Sequence, residues 1–187
     1  MKRIGVRPLN LDSISNRPMS KSLFTIEPLT PADSQWVRQF IVKRWHAETV
    51  VAHGQEFYPH RLPGFVAVSD IERIGLVTYL IDGRNCEIIT LDSLRPGLGV
   101  GTALIEAVKA IVQEAGCDRL WLMTTNDNLR ALGFYQKRGF MLVAVHRGAV
   151  ETARQMKPSI PLIGEGGIPI RDEIELKMFL GGGSGAA

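Results

Sequence analysis

Arg95-Pro96-Gly97-Leu98-Gly99-Val100-Gly101-Thr102 joins two segments of different periodicity. Upstream, Cys86 to Leu94 reads C-E-I-I-T-L-D-S-L, mostly β-branched or apolar, and predicts a strand. Downstream, apolar residues at 100, 103, 104, 107, 108, 111, 112 and 115 recur at i, i+3, i+4 and i+7. That stripe predicts a long amphipathic helix ending at Gly116. Gly97, Gly99 and Gly101 let the turn take positive φ and set no Cβ against a ligand. The first N–H groups of a helix have no internal partners and sit at the positive end of its dipole. Strand, glycine turn and helix start therefore predict an anion site, most naturally for phosphate or pyrophosphate. A tight strand-to-helix connection that holds no ligand is the alternative.

The spacing narrows the ligand. A phosphate loop of the G-x-x-x-x-G-K-S/T type needs a lysine that the turn lacks. A dinucleotide fingerprint needs G-x-G-x-x-G, whereas these glycines run G-x-G-x-G. A second constellation follows by one helix and one strand. Asn128 to Phe140 reads as a short helix that Asn128 caps and Gly139 closes. Asn128, Ala131, Leu132 and Tyr135 stand at i, i+3, i+4 and i+7, so one face carries an amide and, two turns on, a phenol. A core tyrosine beside a cap residue is the alternative for that helix alone.

Taken in this order, the two motifs resemble those of the GNAT N-acetyltransferase superfamily, which uses acetyl-coenzyme A. Gly99-Val100-Gly101-Thr102-Ala103-Leu104 is similar to its pyrophosphate loop, and Asn128 through Phe140 to its N-x-x-A-x-x-F-Y-x-x-x-G-F segment. The resemblance spans Leu23 to Leu180. It implies an α/β fold with a mixed, mostly antiparallel sheet of about six or seven strands and about four helices, splayed between the fourth and fifth strands. Acetyl-coenzyme A would enter as co-substrate, without metal. Leu98, Gly99, Val100, Gly101 and Thr102 would hold its pyrophosphate through backbone N–H groups. Backbone groups at Leu91 and Ser93 would take the acetyl carbonyl and pantetheine amides, and Asn126 and Asn128 would assist. Tyr135 would lie near sulfur, where a phenol of pKa about 10 can protonate a departing thiolate. Glu87 matches a strand position where several family members carry the general base. A strand-edge charge paired with Arg84 is its alternative role, and Asp92 is the second choice as base. Trp45, His46 and Tyr58 are expected at the acceptor side. One departure stands out: Pro96 lies where the family usually has Gln or Arg, with Arg95 one place earlier.

The rest of the chain sets bounds. At 187 residues it suits a single sizeable core. A net charge of +3 with no dense Lys/Arg run makes no demand for nucleic acid. No apolar run approaches the ~20 residues of a membrane span. Met1-Lys2-Arg3 is followed by no apolar stretch, so cytoplasm is the expected location. Cys86 and Cys117 lack C-x-x-C spacing and read as reduced core thiols. Residues 1–22 read as a loose tail, 23–180 as the catalytic domain and 181–187 as a glycine-rich tail.

Strands are expected at Phe24–Pro28, Phe65–Ser69, Arg73–Ile81, Cys86–Leu94, Arg119–Thr125, Phe140–His146 and Asp172–Phe179. Strict alternation puts Glu87, Ile89, Leu91 and Ser93 on one face. It likewise turns Ile174, Leu176 and Met178 inward and Glu173, Glu175 and Lys177 outward to a solvated face, with lining of the acceptor site by Asp172, Glu173 and Glu175 as the alternative. Thr30-Pro31-Ala32-Asp33 opens a helix whose stripe is Trp36, Val37, Phe40, Ile41 and Trp45. Between His46 and Gly64 no periodicity is evident, and its histidines read as surface or loop residues. His146, Arg147, Arg154 and Lys157 read as a solvated face around a short helix, with recognition of an acidic acceptor as the alternative.

The function read from the sequence is acetyl transfer to a primary amine, carried by a small molecule or a protein. Homodimers, common in proteins of this type, are a further expectation. A catalytically silent acyl-coenzyme A binder that regulates a partner is the competing reading.

Overall fold

The computed structural model describes residues 23–180; the two expected tails lie outside the described residues. Strand β1 (Thr25–Pro28) leads through a capped turn into helix α1 (Ser34–Trp45). The Asp33 carboxylate accepts from the Thr30 N–H and hydroxyl at 2.9 and 2.7 Å. A hairpin of β2 (Val50–Ala52) and β3 (Gln55–Phe57) follows. Then come β4 (Gly64–Ser69), β5 (Glu72–Asp82), β6 (Asn85–Ser93), α2 (Val100–Glu114) and β7 (Arg119–Thr125). The chain finishes with α3 (Leu129–Gln136), β8 (Met141–His146), α4 (Ala149–Met156) and β9 (Glu173–Phe179).

Seven strands form one sheet in the order β1-β4-β5-β6-β7-β9-β8, and β2-β3 stands apart. Only β6 and β7 run parallel; the other neighbours are antiparallel. This is the mixed, mostly antiparallel architecture that the resemblance implies. Leu104, Ile105 and Val108 of α2 are fully buried against Val77, Ile88 and Leu122 of the sheet. On the opposite face Val37, Phe40 and Ile41 of α1 pack on Leu76. Adjacent β5 residues thus serve two cores, as the two-residue period of a strand requires.

The β6–β7 ladder is short. It runs from Asn85 opposite Arg119 to Ile88 opposite Leu122, and then the strands part. From Ile89 onward β6 has no strand on its β7 side, and Met123 to Thr125 have none on their β6 side. These are the fourth and fifth strands of the main sheet, where the splay is expected.

Two features differ from strict pattern reading. Val50–Ala52 and Gln55–Phe57 form a hairpin where no periodicity was evident, turned by His53 and Gly54 at φ 39° and 74°. Positive φ at both central residues is the two-residue turn that matches strand twist. The second is a β-bulge. Tyr79 opposes Ile88 while Thr78 opposes Thr90, so Ile89 is an extra residue in β6. Alternation therefore slips by one. Leu91 joins Cys86 and Ile88 on the α2 side, whereas Glu87 and Asp92 both face the α1 side.

Helix α2 starts close against β5. A Cβ on Gly75 would lie 2.6 Å from a Val100 methyl and 3.1 Å from both the Asp92 carbonyl and a Leu104 methyl. Gly75→Ala is therefore expected to lift the start of α2 and cost about 1–3 kcal/mol of stability. Urea denaturation measures the loss, and an unchanged midpoint would show that the helix is free to shift.

Candidate active site

The glycine turn does what its spacing predicts. Gly97 and Gly99 have φ of 85° and 81°, and no atom lies within 4 Å of where their Cβ would be. The first bond inside α2 runs from the Ala103 N–H to the Gly99 carbonyl at 3.0 Å. The N–H groups of Val100, Gly101 and Thr102 precede it and are open to an anion. Gly101 has a second duty: a Cβ there would sit 2.9 Å from the Phe134 ring. That close approach seats the start of α2 against the second half of α3.

Arg138 stands beside this turn. Its Nε and Nη2 donate to the Thr102 hydroxyl at 2.9 and 2.5 Å, and its Nη1 to the Phe134 carbonyl at 2.7 Å. The guanidinium lies flat over the Phe134 ring, 3.5 Å from its centroid. Arg95, next to Pro96, instead pairs with Glu72 at 2.6 Å. A cavity of about 470 Å³ runs along the turn, bounded by Leu91, Ser93, Pro96, Asn128, Tyr135 and Arg138.

Asn128 is the seam of the site. Its side-chain oxygen accepts from the Ala131 N–H at 3.1 Å, which caps α3 and leaves the amide NH2 to face the opening. It borders both the long cavity and a smaller one of about 140 Å³ set between the parted strands. Tyr135 is buried on α3, and burial, helped by the Asp92 charge, raises its phenol above the ordinary value. Asp92 is held from the α1 side by Arg44 at 3.1 Å and the Trp45 indole N–H at 2.8 Å.

The smaller cavity contains Glu87 and Glu173, both 5% exposed. His53 bridges them. Its Nε2 lies 3.0 and 3.1 Å from the Glu87 carboxylate oxygens, and its backbone N–H donates to Glu173 Oε2 at 3.0 Å. The imidazole is wedged between the rings of Phe57 and Trp121, each 5.4 Å away. Burial raises the Glu87 pKa; His53 opposes the rise, Glu173 adds to it, and Arg119 opposes it. The alternative partner, Arg84, is occupied by Asp118 at 2.5 Å.

Not every expected residue arrives here. Trp45 borders the smaller cavity, and together with His46 it borders an adjoining cavity of about 360 Å³. Tyr58 stands away from all three, its hydroxyl on Glu56 and its ring under Arg61. The Asn126 amide is consumed by structure, accepting from the N–H groups of Arg171 and Asp172 and donating to the Pro169 carbonyl. Glu173, expected on a solvated face, is buried beneath the hairpin. His53 and Arg138 are the members that pattern reading missed, whereas Glu173 takes the acceptor-side place that was its alternative. An X-Gly turn between V-V-A and Q-E-F was a usable hairpin signal for His53, whereas nothing local marked Arg138.

Among the described residues no cluster of His, Cys, Asp or Glu has the arrangement of a metal site. The site thus joins a glycine turn at a helix start to a parted sheet, with an amide at the seam and buried carboxylates beyond it. Residues 30–140 match the model of the acetyltransferase (GNAT) family, and the chain belongs to that family. It is 44% identical over 153 residues to YdhI of Bacillus subtilis strain 168, covering 81% of this chain and 96% of that protein. An IAA acetyltransferase from Bacillus cereus ATCC 14579 shares the fold, with a TM-score of 0.65 at 22% identity over 83% of this chain and 99% of that one. So does a GNAT family acetyltransferase from Elizabethkingia anophelis with acetyl-CoA bound, with a TM-score of 0.60 at 20% identity over 85% and 99%.

The raised Glu87 pKa carries a stability signature. A carboxyl that binds its proton more tightly when folded lowers stability above that pKa, and the loss vanishes below the unfolded value of about 4.3. Glu87→Gln is thus expected to melt higher than the parent at pH 8, with the gain shrinking toward pH 4. A gain independent of pH would show that the carboxylate is not the cause.

Proposed function

We propose that this protein transfers the acetyl group of acetyl-coenzyme A to a primary amine by direct attack, with both substrates bound. The observation that carries the reading is the seam at Asn128, where the cavity along the glycine turn meets one holding a buried carboxylate. Acetyl-coenzyme A supplies an activated thioester; the chain supplies position, charge and proton transfer. The α2 N–H groups and the Arg138 guanidinium face the diphosphate, which compensates for Pro96. Backbone groups of Leu91 and Ser93 and the Asn128 amide orient the pantetheine arm. Most of the acceleration is expected from this alignment.

Glu87 is the proton acceptor for the incoming ammonium. Its raised pKa makes the carboxylate more basic, and His53 touches both its oxygens and is partly open to solvent, so a proton has a route out. Tyr135 is kept protonated by burial and donates to the sulfur as it departs. The exposed apolar edge strand β8, with Leu142, Val143 and Val145 in the open, supports a homodimer.

Thermal unfolding and thiol release test the reading together. Acetyl-coenzyme A at ~100 times its dissociation constant should add about 2.7 kcal/mol of stability, with no comparable effect from ATP or NAD. Thiol release should appear with an amine acceptor and fall about 10²-fold in Tyr135→Phe with cofactor binding retained. Stabilisation without thiol release from any amine would make the protein a silent acyl-coenzyme A binder. Arg138→Ala should weaken coenzyme A binding about tenfold by calorimetry, and an unchanged affinity would remove Arg138 from the site.

A further inference from the structure

The cavity of about 360 Å³ beside Trp45 lies within the size range of small-molecule sites and is walled mainly by apolar groups. Val50 and Val51 of the hairpin form one side, Val150 and Ala153 of α4 another, and Ile160 and Pro161 the rim. Trp45, Val50, Val51, Thr125 and Glu173 also border the smaller cavity that contains Glu87, so the two spaces are continuous.

Both signs of charge line it. Glu173 stands at the inner boundary, buried, and accepts only the His53 N–H; no Lys or Arg pairs with it among the described residues. Lys157 stands at the outer boundary. Its Nζ donates to the Thr49 carbonyl at 3.0 Å and meets no carboxylate within ion-pair distance among the described residues. Burial lowers its pKa, and the charge of Glu56 opposes that fall without cancelling it. The other cations nearby are engaged: Arg44, which also lines the cavity, on Asp92 at 3.1 Å, Arg154 on carbonyls of the 160–170 loop and on Glu151, and His146 on Glu175. Of the cationic group after β8, only Lys157 reaches this space. A half-buried cation beside an apolar wall is satisfied by an anionic ligand group, and a buried unpaired carboxylate by an ammonium.

We infer that the acceptor is a small amphoteric amine: an amino group presented to Glu173 and Glu87, an apolar body against Val50, Val51 and Ile160, and a carboxylate on Lys157. This assignment rests on the acetyl-transfer reading and adds the substrate class. It disfavours polyamines and aminoglycosides, which would set further cations against Lys157.

The test compares matched acceptors by thiol release on the full chain with acetyl-coenzyme A. L-Leucine is paired with L-leucinamide and 6-aminohexanoate with hexylamine, and spermidine is added. In at least one pair the carboxylate-bearing member should be favoured about tenfold or more in kcat/KM, through KM. The two pairs distinguish an α-amino from an ω-amino acceptor. Lys157→Met should collapse that preference toward parity and Lys157→Arg should retain it. If Lys157→Met does not fold, the wild-type comparison within each pair still decides. Equal or better turnover of the neutral members or of spermidine overturns the substrate class while leaving acetyl transfer intact. Stabilisation by acetyl-coenzyme A with no turnover of any member also overturns this substrate class, and acetyl transfer itself falls only if no other amine releases thiol.

Discussion

The parallel ladder between β6 and β7 stops at Ile88 and Leu122, and the site depends on that stop. Continued pairing would close the sheet and leave the glycine turn as a connection beside a wall. Because the strands part, β6 backbone groups beyond Ile89 lose a partner and need another from a ligand. The β-bulge at Ile89 acts at the same point. It keeps Leu91 on the cofactor side while turning Glu87 and Asp92 toward α1 and the hairpin. Cofactor-facing backbone and acceptor-facing carboxylates thus come from one strand.

The electrostatics follow from that division. On one side of Asn128 lie the first N–H groups of α2 and the guanidinium of Arg138, which is tied to the Thr102 hydroxyl. On the other side lie Glu87 and Glu173, linked through His53. His53 takes a backbone conformation with φ of 39°, uncommon for a side-chain-bearing residue, and is held there by the hairpin turn and by both carboxylates. In the proposed reading an anion and an ammonium are drawn to opposite sides of a single amide.

Much of this was legible in the sequence. The seven sheet strands, α2 and the capped α3 follow from periodicity and from glycine and asparagine placement. Local chemistry decides those features, so a linear reading recovers them. What escaped depends on partners distant in the chain. The bulge is set by β5 pairing, so strict alternation put Glu87 and Leu91 on one face. Glu173 alternates like a solvated residue and is buried only because a hairpin from residues 50–57 covers it. Asn126 resembles a ligand-binding amide but spends its hydrogen bonds on the 169–172 segment. Arg138 reaches the glycine turn from 36 positions away through the Thr102 hydroxyl, and no local pattern announces that contact.

The central claim is spatial: the opening between β6 and β7 delivers the thioester to the carboxylate side of Asn128. A crystal structure of the complex with coenzyme A tests it most directly. The account predicts a diphosphate on the Val100–Thr102 N–H groups and Arg138, and a pantetheine arm passing Leu91 and Asn128 with its sulfur between Tyr135 and Glu87. A pantetheine arm that leaves the sheet before Asn128, or a sulfur on the side away from Glu87 and His53, would contradict it.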